Sequence, residues 1–440
     1  MGKKRRRRGV SVGTIVMLLL TALVIAGCAF FLTAIAGEDL YAKTGELFRS
    51  LTEQGVFAPH SSGEPQTDEP EQEDSVPVAS QEQPTAIAPS PTPVPAASTF
   101  TLAAAGTVYA PKVVRQGAEE ETDHYDFAPV FAGLGTALSE ADLAVATLET
   151  TTAGKEAGYG NYNTPAQILD ALRDAGVDLI ALATERALEK GYEGLDLTVS
   201  ELTARGLAYA GVNPDGGGVS ATMMSVGGVQ VAVLSYTYGL SDEGREKTRE
   251  DSQGVLAMLE TERVVSDITK ARVDGANVVI VLPHWGTKNK TETPENIRTM
   301  ARAMAEAGAD IILGTHPNVV QGVERLSVAR SDGLTYEAVV CYSLGCLLTD
   351  ARTEENTAGM IAHLSVTYDP VTRRASLGEL AYTPVYIARQ REGSASVYRV
   401  VDAQNAQALS ALEEGEQEAA RRAAEIVREA VGQSEQEEQG

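Results

Sequence analysis

The chain has 440 residues, of which 43% are hydrophobic, 22% charged and 5% aromatic, so it is neither wholly disordered nor a collagen-like fibre. Its formal net charge is -25 at pH 7, and its three cysteines are too few for a disulfide scaffold. Because an acidic surface repels phosphate backbones, we expect no nucleic-acid partner.

The first predicted element is a membrane anchor over residues 10–37, which carry no charged side chain. This run exceeds the roughly 20 apolar residues that a helix needs to cross a bilayer. Six Lys and Arg residues precede it, so residues 1–9 are predicted to be a cytoplasmic tail and the main domain to be extracellular. A cleaved lipoprotein signal is the alternative, because Ile25-Ala26-Gly27-Cys28 resembles a processing box. We favour the uncleaved single-pass anchor, since the apolar run continues to Leu32. Both versions leave the protein at the cell membrane.

Residues 38–98 are predicted to form an extracellular, disordered linker. From residue 60 onward the linker is rich in Pro, Glu and Ser and lacks Lys, Arg and aromatic side chains, so it cannot build a core. Its proline alternations favour an extended spacer, which reaches on the order of 100 Å at about 3.1 Å per residue.

Between residues 99 and 391 short apolar runs alternate with amphipathic segments, a pattern typical of an α/β domain. The predicted strands are Phe100 to Ala105, Leu143 to Leu148, Leu179 to Ala183, Val229 to Tyr236, Val278 to Leu282, Ile311 to Gly314, Ala338 to Ser343, Met360 to Thr367 and Ala375 to Tyr382. The predicted helices are Pro165 to Ala175, Leu195 to Arg205, Glu260 to Val273 and Pro294 to Ala307. Because the last two strands have no helix between them, we expect mixed β-sheets flanked by helices. Gly227-Gly228 predicts a hairpin.

Residues 392–440 are rich in Ala and Glu and predict one or two helices followed by a polar tail from Gln433. We expect a helix docked on the domain, with a partner-binding helix as the alternative. Cys341 and Cys346 are interpreted as small buried side chains, and a bridge between them is the alternative in an oxidising compartment.

Several motifs lie within or directly after predicted strands, in a fixed order. They are Ala141 to Val145 with Leu148-Glu149, His284-Trp285-Gly286, Gly308 to Gln321, and Tyr342-Ser343-Leu344-Gly345. Together they resemble the CapA family of poly-γ-glutamate capsule proteins over about residues 100–389. The resemblance implies a layered fold similar to the calcineurin-like metallophosphoesterases, with metal ligands at the strand ends and an envelope polymer as partner.

The resemblance implies a set of ligand motifs that this chain keeps only in part. The family's Gly-Asp turn is Gly106-Thr107 here, its Asn-Asn-His is Thr184-Glu185-Arg186, its His-Pro-His is His316-Pro317-Asn318, and its Asn after Tyr-Ser-Leu-Gly is Cys346. A threonine hydroxyl replaces a bridging carboxylate poorly, and the Arg186 guanidinium would repel a cation. A paired-metal hydrolase centre is therefore not expected.

Glu149, His284 and His316 are retained from the family's pattern. Two histidines and one glutamate form a known zinc set, so these three are the candidate ligands of one divalent metal such as Zn or Mn. His284 and His316 are also the candidate catalytic groups. The alternative, which we favour, is that both histidines are hydrogen-bonded structural residues in a vestigial cleft.

Arg186 also predicts a different kind of cleft. With Lys190 it would present positive charge to a carboxylate or phosphate, while His284 and Asn318 donate hydrogen bonds and Trp285 packs beside them. Arg186, Trp285 and Asn318 are therefore candidate ligand-binding residues. A surface ion pair is the alternative role for Arg186.

These features predict a membrane-anchored extracellular protein that is non-catalytic or weakly catalytic. Its role would lie in the synthesis or attachment of a capsule or envelope polymer similar to poly-γ-glutamate. The alternative is a mononuclear metal-dependent hydrolase or transferase acting on an envelope amide or phosphoester. A purely structural wall protein is the third hypothesis.

Overall fold

The computed structural model describes residues 96–248, 254–393 and 395–437. The predicted anchor, its basic tail, Cys28 and almost all of the predicted linker lie outside these residues. Within the described part of the chain, we find no helix of the length and apolar character that crossing a membrane requires.

The strands of the described residues are numbered in chain order. They are β1 (Ser98–Val108), β2 (Glu119–Glu121), β3 (His124–Tyr125), β4 (Leu143–Leu148), β5 (Leu179–Ala181), β6 (Ala208–Ala210), β7 (Thr222–Val226), β8 (Val229–Thr237), β9 (Val278–His284), β10 (Ile311–Leu313), β11 (Val323–Ala329), β12 (Thr335–Cys341), β13 (Cys346–Leu348), β14 (Ala358–Asp369), β15 (Arg374–Leu377), β16 (Ala381–Glu392) and β17 (Ala395–Asp402).

The helices of the same residues follow the same convention. They are α1 (Lys112–Gly117), α2 (Ala128–Phe131), α3 (Gln167–Asp174), α4 (Gly191–Ala204), α5 (Asp242–Glu246), α6 (Thr261–Val273), α7 (Glu295–Ala307), α8 (Glu354–Thr357), α9 (Ala406–Ser410) and α10 (Glu414–Glu437).

Most strands belong to two mixed sheets. The first has the order β17-β16-β14-β1-β4-β5-β6, with β13 beside β1 and β15 beside β14, and the second has the order β11-β12-β10-β9-β8-β7. In the first sheet the parallel strands β1, β4, β5 and β6 have an antiparallel neighbour, β14, on the β1 side only. In the second sheet the parallel strands β8, β9, β10 and β12 have an antiparallel neighbour on each side, β7 and β11. The predicted mixed sheets with flanking helices are confirmed.

Alternating side chains stack these sheets into layers. β1 directs Leu102 and Ala104 into the core between the two sheets, and Ala103 and Ala105 into the core beneath α3 and α4. β9 alternates in the same way between the intersheet core and the core beneath α6 and α7. Strands buried on both faces read as continuous apolar runs, which is why the sequence predicts them well. The resulting order is helix, sheet, sheet, helix.

The C-terminal part of the domain differs from the prediction. The strand expected from Ala375 to Tyr382 is two strands, because β15 pairs with one end of β14 and β16 with the other end. β16 then continues past residue 391 and pairs with β17. The sheet therefore includes residues that the sequence assigned to the helical segment from 392, and the helices begin only at Ala406.

The last helix, α10, docks on the domain as predicted. Ala420, Ala423 and Val427 are buried in the intersheet core, which explains its apolar stripe. The helix continues to Glu437, beyond the start expected for a polar tail at Gln433, since nothing in that sequence breaks a helix. Cys341 and Cys346 are free and buried, as expected.

Candidate cleft at the strand ends

The carboxyl ends of parallel strands from both sheets meet at one cleft. Thr107 lies near the end of β1, and Glu149 and Glu185 follow β4 and β5. From the second sheet, β9 ends at His284, and His316 follows β10. Parallel strands place such ends on one edge, and Glu149 Oε2 lies 3.9 Å from His284 Nε2, so the edges of the two sheets are in contact.

The three candidate metal ligands come together in this cleft. Glu149, His284 and His316 are all buried. His284 Nε2 and His316 Nδ1 lie 3.1 Å apart and share a hydrogen bond, in which one ring donates and the other accepts. The other nitrogen of His284, Nδ1, lies 3.2 Å from Thr315 Oγ1. Both imidazoles are therefore engaged with protein groups.

Backbone geometry fixes the loop that carries His316. His316 and Asn318 have φ angles of 98° and 61°, in the left-handed region that costs side-chain-bearing residues energy. Just before them, Gly314 packs so tightly that a Cβ would lie 2.1 Å from the Tyr342 carbonyl oxygen and 2.4 Å from Trp285 Nε1. The loop is thus held by close packing on its β10 side.

Trp285 is a positioning residue and not a ligand contact. Its side chain is 0% exposed, lies in the core beneath α7, and donates a hydrogen bond of 2.9 Å from Nε1 to the Tyr342 carbonyl. A fully buried indole offers no surface to a ligand, which corrects the ligand-binding role predicted for Trp285. It instead anchors the backbone next to His284.

Lys288, Glu185 and Tyr238 complete the cleft, and sequence reasoning gave none of them a role. Lys288 Nζ donates to Glu185 Oε1 at 2.7 Å and lies 3.7 Å from Glu149 Oε1. The Tyr238 hydroxyl donates to Glu185 Oε2, and its ring lies 4.5 Å from the His316 ring. The one available signal was position, since Lys288 follows the His284-Trp285-Gly286 motif by two residues.

Arg186 is held by carboxylates of its own segment. Its guanidinium lies 3.2 Å from Glu185 Oε1 and 3.3 Å from Glu189 Oε2, and it stacks over the Tyr162 ring at 3.7 Å. The positive pocket predicted from Arg186 is therefore largely neutralised, in line with the alternative of an ion pair. Asn318 Oδ1 is buried and makes no hydrogen bond with the described residues.

Burial controls the protonation of this cleft. It lowers the pKa of His284 well below its usual value and the pKa of His316 to about 4, so both rings are neutral at neutral pH. Burial raises the pKa of Glu149 to about 7, with Lys288 opposing the shift. For Lys288, burial alone would lower the pKa, but attraction to Glu149 and the hydrogen bond to Glu185 raise it.

These residues do not fit a two-metal centre. Arg186 and Lys288 put two cations in the cleft, and a Thr107 hydroxyl stands where the family resemblance implies a carboxylate. Within the described ranges, no three His, Cys, Asp or Glu side chains are arranged to hold a metal ion. A partial fit to one ion persists, because the nitrogens of His284 and His316 are close together and Glu149 Oε2 is buried without a hydrogen bond to the described residues.

Comparison with known proteins identifies the family. The model of the bacterial capsule synthesis protein family PGA_cap matches residues 101–351, which include the cleft residues named above. The chain belongs to the PGA_cap family. This confirms the family resemblance that the strand-end motifs carried.

Two curated relatives of this PGA_cap chain are named for capsule biosynthesis. The PGA biosynthesis protein CapA of Bacillus subtilis (strain 168) is 29% identical over 192 residues, which cover 43% of this chain and 47% of the relative. The capsule biosynthesis protein CapA of Bacillus anthracis is 28% identical over 197 residues, covering 43% of this chain and 45% of the relative. The match thus spans slightly less than half the length of each relative.

Two solved structures align with the PGA_cap chain at low scores. The calcineurin-like phosphoesterase YfkN from Bacillus subtilis is 12% identical with a TM-score of 0.38, covering 76% of this chain and 100% of that one. A phosphatase from Mycoplasma pneumoniae is 14% identical with a TM-score of 0.36, covering 66% and 94%. These values say nothing about activity.

Proposed function

We propose that this protein is a membrane-anchored, extracellular factor in the synthesis or attachment of a capsule or envelope polymer similar to poly-γ-glutamate. It acts by binding at the cleft, without two-metal hydrolysis. Family membership and the names of the two relatives support the polymer role. The uncharged run over residues 10–37 supports the anchor.

One observation carries the non-catalytic part of the proposal. The Lys288 ammonium lies 2.7 Å from Glu185 Oε1 and 3.7 Å from Glu149 Oε1, so protein cations already balance the cleft's carboxylates. A two-metal phosphoesterase needs anionic ligands free to offset the charge of two ions. A cleft whose carboxylates are already paired with protein cations lacks that free negative charge.

Deletion and complementation test the polymer role. In the source bacterium, deletion of the gene is expected to lower cell-surface polymer, and both the wild type and His284→Gln are expected to restore it. His363→Gln is the matched control, because His363 lies on β14 and hydrogen-bonds Thr383. Loss of polymer with His284→Gln alone, together with hydrolysis by the purified wild type that this variant lacks, would refute the non-catalytic role. Unchanged polymer after deletion would refute the polymer role.

A second candidate is a mononuclear metal-dependent hydrolase or transferase acting on an envelope amide or phosphoester. It is favoured by the 3.1 Å spacing of His284 Nε2 and His316 Nδ1 beside Glu149 Oε2, which accepts no hydrogen bond from the described residues. When bound, such an ion would act as a Lewis acid on the scissile group. Stoichiometric metal in the purified wild-type chain, lost in His284→Ala/His316→Ala, would favour this candidate.

A further inference from the structure

The cleft contains an ammonium group where its acidic and imidazole groups converge. Glu149 is 3% exposed and uses one carboxylate oxygen toward Lys288 and the other toward His284. Lys288 itself is tied to Glu185 by a hydrogen bond of 2.7 Å. The lysine side chain is 36% exposed and so reaches in from the rim.

Glu185 is oriented for this contact from two directions. The Tyr238 hydroxyl donates to Glu185 Oε2 while Lys288 donates to Oε1, so both carboxylate oxygens are bound. The Tyr238 ring also lies against His316, which links the same tyrosine to the imidazole pair. Lys288, in the loop after β9 of the second sheet, is thus held by carboxylates that follow β4 and β5 of the first sheet.

Electrostatics makes this ammonium a competitor of a metal ion. An ion bound by Glu149 Oε1 and the two histidines would lie within about 6 Å of Lys288 Nζ, because Oε1 is 3.7 Å from Nζ and metal–ligand distances are about 2 Å. Repulsion between a divalent and a monovalent cation at that range weakens binding by several orders of magnitude, even at a high effective dielectric constant.

We propose that Lys288 is the resident cation of the cleft and takes the place of a divalent metal. Glu149, His284 and His316 are not arranged as a complete metal site in the described residues, and replacing Lys288 with an uncharged side chain would let them move together to bind one zinc ion. The inference rests on the proposed function only in that both describe a cleft that works without a metal.

Zinc binding by the purified full-length chain tests this assignment. Lys288→Met keeps the aliphatic stem and removes the charge, and it is expected to bind zinc at least about 100-fold more tightly than the wild type. Lys288→Gln also removes the charge, but its amide can still donate a hydrogen bond to Glu185 and so helps to keep the chain folded. Isothermal titration with zinc chloride gives the affinity, mass spectrometry of the desalted chain gives the stoichiometry, and circular dichroism verifies folding.

Three controls locate the effect. Lys288→Arg keeps the charge and is expected to bind no more zinc than the wild type. Lys290→Met removes an exposed lysine of the same loop and is expected to change nothing. Adding His284→Gln to Lys288→Met is expected to abolish the gained site.

The assignment is overturned if the wild type binds stoichiometric zinc that His284→Gln removes, or if folded Lys288→Met and Lys288→Gln both fail to gain zinc. Either result leaves the polymer role standing, because that role is measured by surface polymer in complemented cells.

Discussion

Glu149→Gln is expected to stabilise the protein, and to do so in a pH-dependent way. Glu149 is buried and its Oε2 makes no hydrogen bond with the described residues, so its ionised form is costly in the folded state. Burial raises its pKa to about 7 from an ordinary value of 4.5, a difference equivalent to about 3 kcal/mol once the group is fully ionised. The glutamine amide removes this cost.

The sign follows from proton uptake. Between about pH 4.5 and pH 7 the folded chain holds a proton on Glu149 that the unfolded chain has lost, so wild-type stability from this group falls as pH rises. The advantage of Glu149→Gln should therefore grow by about 2 kcal/mol between about pH 5 and about pH 8.

Equilibrium urea unfolding in EDTA at the two pH values measures this difference. Glu306→Gln, at an exposed position on α7, is the control and should show no growth with pH. If the stability gap between wild type and Glu149→Gln is the same at both pH values, burial does not control this carboxyl and the reasoning is wrong.

Three further predictions use the same unfolding measurement. Gly314→Ala should cost at least about 3 kcal/mol, because its Cβ would lie 2.1 Å from the Tyr342 carbonyl oxygen, whereas Gly160→Ala, with open space around its Cβ, should be near neutral. Asp310→Ala should lower the free energy of unfolding by about 3–5 kcal/mol, because two arginines lose the buried carboxylate to which they bind. A decrease below about 1 kcal/mol would contradict this. In EDTA, the free energy of unfolding of His316→Gln should fall less on acidification than that of the wild type, by up to about 1.4 kcal/mol per pH unit between about pH 6.5 and pH 4. The reason is that the unfolded wild-type chain takes up a proton on His316 that the buried ring does not. The same fall in both proteins over this pH range would disprove the prediction.

The sequence predicts the central strands well and the outer strands poorly. β4 has the predicted bounds, Leu143 and Leu148, because both of its faces are buried and the run is continuously apolar. β11 and β17 were not predicted. β11 pairs with a strand on one side only and carries Glu324 and Arg325, so its pattern does not stand out from a loop. Tertiary pairing and not local pattern defines such strands.

The cleft shows the same limit. Motif order places Glu149, His284 and His316 together, because the ends of parallel strands share an edge. Lys288 and Tyr238 escape prediction, since their roles depend on which loop of one sheet meets which loop of the other. The ion pair of Arg186, by contrast, is a local feature that a sequence can indicate, because its partner Glu189 lies only three residues away.

The direction of β1 has a consequence for access to the cleft. The strand is 11 residues long, so its two ends lie about 30 Å apart at roughly 3.3 Å per residue. Thr107 stands at the cleft end, and the chain enters the domain at the other end, at Ser98. A long linear molecule bound in the cleft would therefore lie at the end of β1 opposite to the end where the protein chain enters the domain.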